Sequence, residues 1–156
     1  MTLGMHKRGS FYDIVTVDQC VLVHPDCCKI LRATLDYFTE HGAVFYKKMA
    51  HVGYLRHLLV RRGVKTGEIL VDLVTSTQTE GTWKSEQNEE ALLEAGKKTS
   101  GTGSGRLFAG ILHTENDSLA DVVQNDRTVI LYGQDFFMEE LLGLKFKITP
   151  FSFFQT

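Results

Sequence analysis

The apolar positions along this chain recur with two different periods, and the changes between them outline its elements. Leu144-Lys145-Phe146-Lys147-Ile148 alternates apolar and basic residues, the period of a strand with one buried face. Pro150 cannot donate to a ladder, so this strand ends there or runs on only as an edge. Near the start, residues 3–7 and 11–17 read as two strands around Arg8-Gly9-Ser10, where glycine offers the positive φ of a tight hairpin. Cys27, Leu31, Leu35 and Phe38 then recur at helical spacing. Pro25 suits the first turn of that helix, Asp26 favours its positive end, and Gly42 offers the stop. Residues 54–62 and 68–75 are apolar, β-branched runs joined through Gly63-Val64-Lys65-Thr66-Gly67, which predicts a pair of central strands covered on at least one face.

The remaining segments are less regular. A short helix is predicted over 86–97, with Ala91, Leu92 and Ala95 as its apolar stripe, followed by a Gly/Ser connector over 99–105. A strand follows over 107–113, a turn at Asn116-Asp117-Ser118, and strand or irregular chain over 119–123. Asp126-Arg127 marks another turn, and 128–133 a further strand. Residues 135–142 fit helix or strand by pattern, and the turn at Gly143 before an alternating strand favours a hairpin. The predicted fold is α+β: a mainly antiparallel sheet of hairpins with about two helices packed on it.

Composition narrows the classes of function. The chain's 156 residues suffice for one domain with a proper core, and a hydrophobic fraction of 43% is ordinary for a globular protein. No apolar run approaches membrane length, so no membrane partner is expected. A net charge of −2 gives no global basic field, and any contact with nucleic acid must rest on local patches. Three cysteines at 20, 27 and 28 make no disulfide framework, which points to a reducing, cytoplasmic setting.

Two basic patches are visible. Lys7 and Arg8 sit at the first hairpin's tip, either as a solvated turn or as a finger for phosphate. His51, Arg56, His57, Arg61, Arg62 and Lys65 cluster around the 54–75 hairpin, either as a solvated rim or as a surface that positions RNA without reading its sequence. Thr99 to Gly105 is not a phosphate-cradling loop, because such a loop needs a strand before it and a helix after it. No acid/base pair or metal set marks an independent small-molecule enzyme.

Three blocks carry a family resemblance. Met5-His6-Lys7-Arg8-Gly9-Ser10-Phe11 comes first, then His51-Val52-Gly53-Tyr54-Leu55-Arg56-His57-Leu58-Leu59-Val60-Arg61. The third joins Gln134-Asp135 and Gly143 to Pro150 with Ser152-Phe153-Phe154-Gln155. In this order they resemble the tRNA/23S rRNA (uracil-5-)-methyltransferase family, in which a Phe-x-Gln-x-Asn motif joins a central RNA-contacting domain to an S-adenosylmethionine-dependent catalytic domain. Phe153 and Gln155 match the motif's first two fixed positions.

The resemblance implies a central RNA-contacting domain over 1–149, with 150–156 opening the link to an S-adenosylmethionine-binding domain absent from this chain. The apolar run at the end carries the matching expectation of a chain cut from something longer. It implies rRNA or tRNA as partner, Lys7, Arg8, Arg56, His57, Arg61, Arg62 and Lys65 as RNA contacts, and Phe153 and Gln155 at the target uridine. Phe153 would stack on the extruded base, and the Gln155 amide would complement the uracil edge. The alternative makes Phe153 a core residue and Gln155 a strand cap. Many members hold an iron–sulfur cluster in the parent enzyme, and Cys20 matches its fourth ligand, although one thiolate cannot hold a cluster. No residue matches the family's catalytic cysteine or its base, and the cofactor's glycine-rich turn is missing, so the fragment is expected to hold no cofactor and to be inactive alone. The competing reading is a free-standing RNA-binding or scaffold domain.

Overall fold

The computed structural model describes residues 1–10, 12–78, 90, 92, 108–119 and 126–153. In chain order the elements are β1 (Gly4–His6), β2 (Ile14–Thr16), α1 (Pro25–Glu40), β3 (Leu55–Arg62), β4 (Ile69–Thr75), β5 (Phe108–Glu115), β6 (Arg127–Gly133), β7 (Phe137–Leu141) and β8 (Leu144–Ile148). The class is α+β, and β3, β4, β5 and β6 form the main sheet in that order. Two antiparallel hairpins, β1–β2 and β7–β8, stand as separate two-stranded sheets.

The expectation of about two helices is corrected: one helix is bounded among the described residues. Of the helix expected over 86–97, only Glu90 and Leu92 are described; both are helical, and Leu92 is buried in the core. The connector over 99–105 and most of 119–123 lie outside the described residues. A second correction concerns the sheet. β3 is an edge strand, half-buried throughout, whereas every residue of β4 is buried. β4 also pairs in parallel with β5, which the expectation of hairpin pairing does not include; parallel neighbours cannot be joined by a tight turn. An apolar run buried on both faces is what a strand in such a position requires.

Helix α1 begins where the sequence indicates. The His24 side chain accepts the Asp26 backbone N–H at 3.2 Å, Pro25 occupies the first turn, and Gly42 follows the C-cap with φ 70°. Its inward stripe is Ile30, Thr34, Leu35 and Phe38; the phase expected from Cys27 and Leu31 is shifted, and both are only half-buried. Ile30, Phe38 and Leu92 pack with Ile69, Val71, Leu73 and Ile111 on one face of the sheet. Burying side chains of this size contributes about 2 kcal/mol each. On the opposite face Phe137 and Ile148 of the β7–β8 hairpin cover Leu70 and Leu112. That hairpin resolves the ambiguity over 135–142 as a strand. It turns through Leu142 and Gly143, φ 53° and 80°, the paired positive dihedrals that a two-residue hairpin turn demands.

Candidate functional site

The expected RNA-contacting residues fall into two physical groups. Lys7 and Arg8 lie exposed at the β1–β2 tip, where the Lys7 backbone N–H donates to the Asp13 carbonyl at 2.8 Å. Lys48 Nζ lies 3.3 Å from His6 Nε2, which draws the exposed Lys47-Lys48 pair against this hairpin. The resulting basic surface joins segments forty-odd positions apart in sequence.

The arginines of β3 face inward instead. Alternation along the strand sends Arg61 and Arg62 to opposite faces of the sheet. Arg62 Nε lies 3.5 Å from Asp26 Oδ2 at the start of α1. Arg61 Nη1 donates to three backbone carbonyls, of Thr149 at 2.8 Å, Pro150 at 3.1 Å and Ser152 at 2.7 Å. Burial lowers the Arg61 pKa, and its guanidinium bonds these carbonyls. Arg56 Nη1 donates to the carbonyls of Asn116 and Ser118, and its guanidinium lies 4.3 Å over the Tyr46 ring. His57 is half-buried and lines a cavity of about 70 Å³ with Thr34, Leu35, Phe38 and Leu58, small against the volume a bound metabolite needs.

Lys65 is exposed on the β3–β4 turn, and the turn is fixed from below by Glu139. The Glu139 carboxylate, 4% exposed, accepts backbone N–H groups of Val64, of Lys65 at 3.1 Å and of Glu140 at 2.8 Å. Burial alone would raise its pKa, but these N–H donors outweigh it and hold the carboxyl below its usual range. Thr66 Oγ1 completes the dock by donating to the Met138 carbonyl at 2.6 Å.

At the end of β8 the chain turns through Thr149–Ser152. The Thr149 N–H donates to Ser152 Oγ at 3.1 Å, and the Ser152 N–H to the Thr149 carbonyl at 3.2 Å. Phe153 follows, 89% exposed in this chain. Gln155 lies outside the described residues. Cys20 is half-buried and free, with Cys28 Sγ 3.6 Å from its carbonyl oxygen. Burial raises the Cys27 thiol's pKa, with Cys28 adding to it, which disfavours the thiolate a metal needs. Among the described residues no group of three or more His, Cys, Asp or Glu side chains converges as a metal site, so these residues do not by themselves fit an iron–sulfur cluster. Nor does α1 suit the adenosylmethionine cofactor, because the loop before it, residues 17–24, contains no glycine. No helix among the described residues is long and apolar enough to cross a membrane.

The chain is 48% identical, over its whole length, to an RNA methyltransferase of Clostridium tetani described as uncharacterized, and spans 32% of that protein. The chain belongs to this RNA methyltransferase family. It is also 29% identical over 154 residues to the tRNA (uracil(54)-C(5))-methyltransferase of Pyrococcus furiosus, covering 99% of this chain and 33% of that one. Among solved structures, the tRNA (uracil-54, C5)-methyltransferase of Pyrococcus abyssi in complex with S-adenosyl-L-homocysteine superposes with a TM-score of 0.69 at 25% identity. That match covers 98% of this chain and 34% of the other. No family model matches. The chain therefore spans about a third of the relatives it matches. Sequence reading misses Lys48, the carbonyls around Arg61 and the role of Glu139. The Lys47-Lys48 pair is visible in the sequence, but nothing local to it indicates that it folds against His6.

Proposed function

We propose that this chain is the RNA-contacting part of an S-adenosylmethionine-dependent RNA (uracil-5-)-methyltransferase. Residues 1–149 form the contact domain and 150–156 open the link to the catalytic part. The observation that carries this reading is the alignment, over nearly the whole chain, with a relative named for methylation of uracil at carbon 5. Exposure of Lys7, Arg8, Lys47, Lys48 and Lys65 supports their role as phosphate contacts, sequence-independent anchors that set the register of an RNA strand. Arg56 and Arg61 act beneath that surface by holding backbone carbonyls, and Arg62 by pairing with Asp26 at the start of α1. The exposed Phe153 supports stacking on an extruded uracil, with Gln155 on the base's polar edge.

S-adenosylmethionine, when bound by the rest of the enzyme, supplies the methyl group. This chain supplies binding and orientation, and alone transfers nothing. The partner is rRNA or tRNA in a reducing, cytoplasmic setting, which the three free cysteines suit.

The test is to incubate the full-length enzyme with S-adenosylmethionine and either rRNA or tRNA, digest the RNA and analyse its nucleosides by mass spectrometry. 5-Methyluridine is expected from one of the two RNAs. Methyl groups on another base, or on neither RNA, would overturn the reading.

A further inference from the structure

The geometry points to Arg61 as a positioning residue that fixes the chain leading to the target uridine, an inference that rests on the function proposed above. Its guanidinium does not touch the reacting base; it acts through the backbone of Thr149–Ser152. A strand cannot end in a defined direction merely by running out of ladder, because each residue past the last pair regains its backbone freedom. Pro150 makes this worse, having no N–H to donate. After Ile148 the ladder gives way to the Thr149–Ser152 turn, and one cation gathers its carbonyls. Arg61 Nη1 meets the Thr149, Pro150 and Ser152 carbonyls at 2.8, 3.1 and 2.7 Å, so three acceptors share two hydrogens.

The arrangement is built from both sides. Arg61 sits opposite Leu70 in the β3–β4 register, on the face that the β7–β8 hairpin covers. Its stem is thus anchored in the main sheet while its head reaches the exit of β8. The Ser152 hydroxyl closes the same turn from the other side, 2.7 Å from Thr149 Oγ1 and 3.1 Å from the Thr149 nitrogen. Phe153, the next residue, leaves this locked turn exposed. The sheet whose β3–β4 turn presents Lys65 and the segment that meets the base are therefore mechanically one unit, joined at Arg61. Small misplacements of a positioning group cost catalytic rate more than affinity, since phosphate contacts elsewhere hold the RNA.

The test compares Arg61→Met, which keeps the apolar stem and removes every donor, with Arg61→Lys, which restores an N–H donor head. Both are made in the full-length enzyme. Single-turnover methylation at saturating RNA should fall about tenfold to a hundredfold in Arg61→Met, with RNA affinity unchanged. Amide exchange should quicken at Ser152 and Phe153 but not in Leu70–Val74, and Arg61→Lys should recover part of both. If Arg61→Met does not fold, Arg61→Gln is read by the same measures. An unchanged rate, or a slowed rate without faster exchange at Ser152 and Phe153, would overturn the role of Arg61. A wild-type enzyme that methylates no uridine would instead bring down the functional reading, and this inference with it.

Discussion

The Glu139 carboxylate accepts the Lys65 backbone N–H at 3.1 Å, so a buried acid on β7 shapes the turn that presents a basic side chain to solvent. Replacing it by glutamine leaves at least one of the N–H groups it accepts facing another donor. Hydrogen bonds to a charged acceptor are worth about 1.5–3 kcal/mol each, and we expect Glu139→Gln to lower unfolding stability by about 2–4 kcal/mol at pH 7. The folded pKa is depressed, so this stabilisation is present above the unfolded carboxyl's range and is lost as pH falls through the lower folded value. Urea titrations should show the gap between variant and parent closing below about pH 4. A gap that persists there would mean the loss comes from packing and not from charge.

Asp72 behaves in the opposite sense. It is 1% exposed in β4; Thr114 Oγ1 donates to its Oδ2 at 2.9 Å, and Oδ1 has no hydrogen-bond partner among the described residues. Burial raises its pKa to about 6, against a partial lowering by Thr114. Between about pH 4 and 6 the folded state holds a proton the unfolded state has released, so this term weakens the fold as pH rises through that window. Asp72→Asn should therefore be more stable than the parent by about 2 kcal/mol at pH 7.5, with the advantage vanishing near pH 4. Comparing the two proteins, rather than following one, removes the opposing effect of buried His113, whose pKa burial lowers. An advantage that does not shrink in acid would contradict the assignment.

These two acids show where the sequence is legible. The helix can be read because its signals are local: Pro25, Asp26, Gly42 and a 3.6-residue stripe. Strand β4 can be read because it is apolar on both faces. Its parallel partner cannot, since β5 lies far along the chain from β4 and pairing across such a distance leaves no local mark. The site divides the same way. Lys7 and Arg8 at a glycine turn announce their exposure, and strand alternation alone separates Arg61 from Arg62. The carbonyls that hold Arg61 are 88 to 91 positions away and carry no side-chain signature. Glu139 reads as an ordinary polar residue until the hairpin buries it.

The hairpin tip should be an electrostatic contact. With the full-length enzyme, Lys7→Glu combined with Arg8→Glu should weaken RNA binding. It should also flatten the dependence of log K on log salt by about 1.4, the share of two phosphate contacts on a single strand. Thermal stability should hold, because both side chains are exposed. Unchanged affinity and slope in fluorescence titrations would make the tip a solvated turn.

The central claim, that this chain holds the target uridine, is tested most directly at Gln155. The mechanism that the family resemblance implies adds a cysteine thiolate from the catalytic part to carbon 6 of uracil. That addition would place negative charge on a uracil oxygen, and an amide donor there would help the transition state more than the ground state. Losing one such donor typically costs about 3 kcal/mol, or roughly a hundredfold in rate. The measurement is single-turnover methylation of saturating RNA by full-length Gln155→Ala, beside a thermal melt and an RNA titration. The account predicts a folded enzyme with intact RNA affinity and a rate lowered about a hundredfold. A folded variant with an unchanged rate would contradict it.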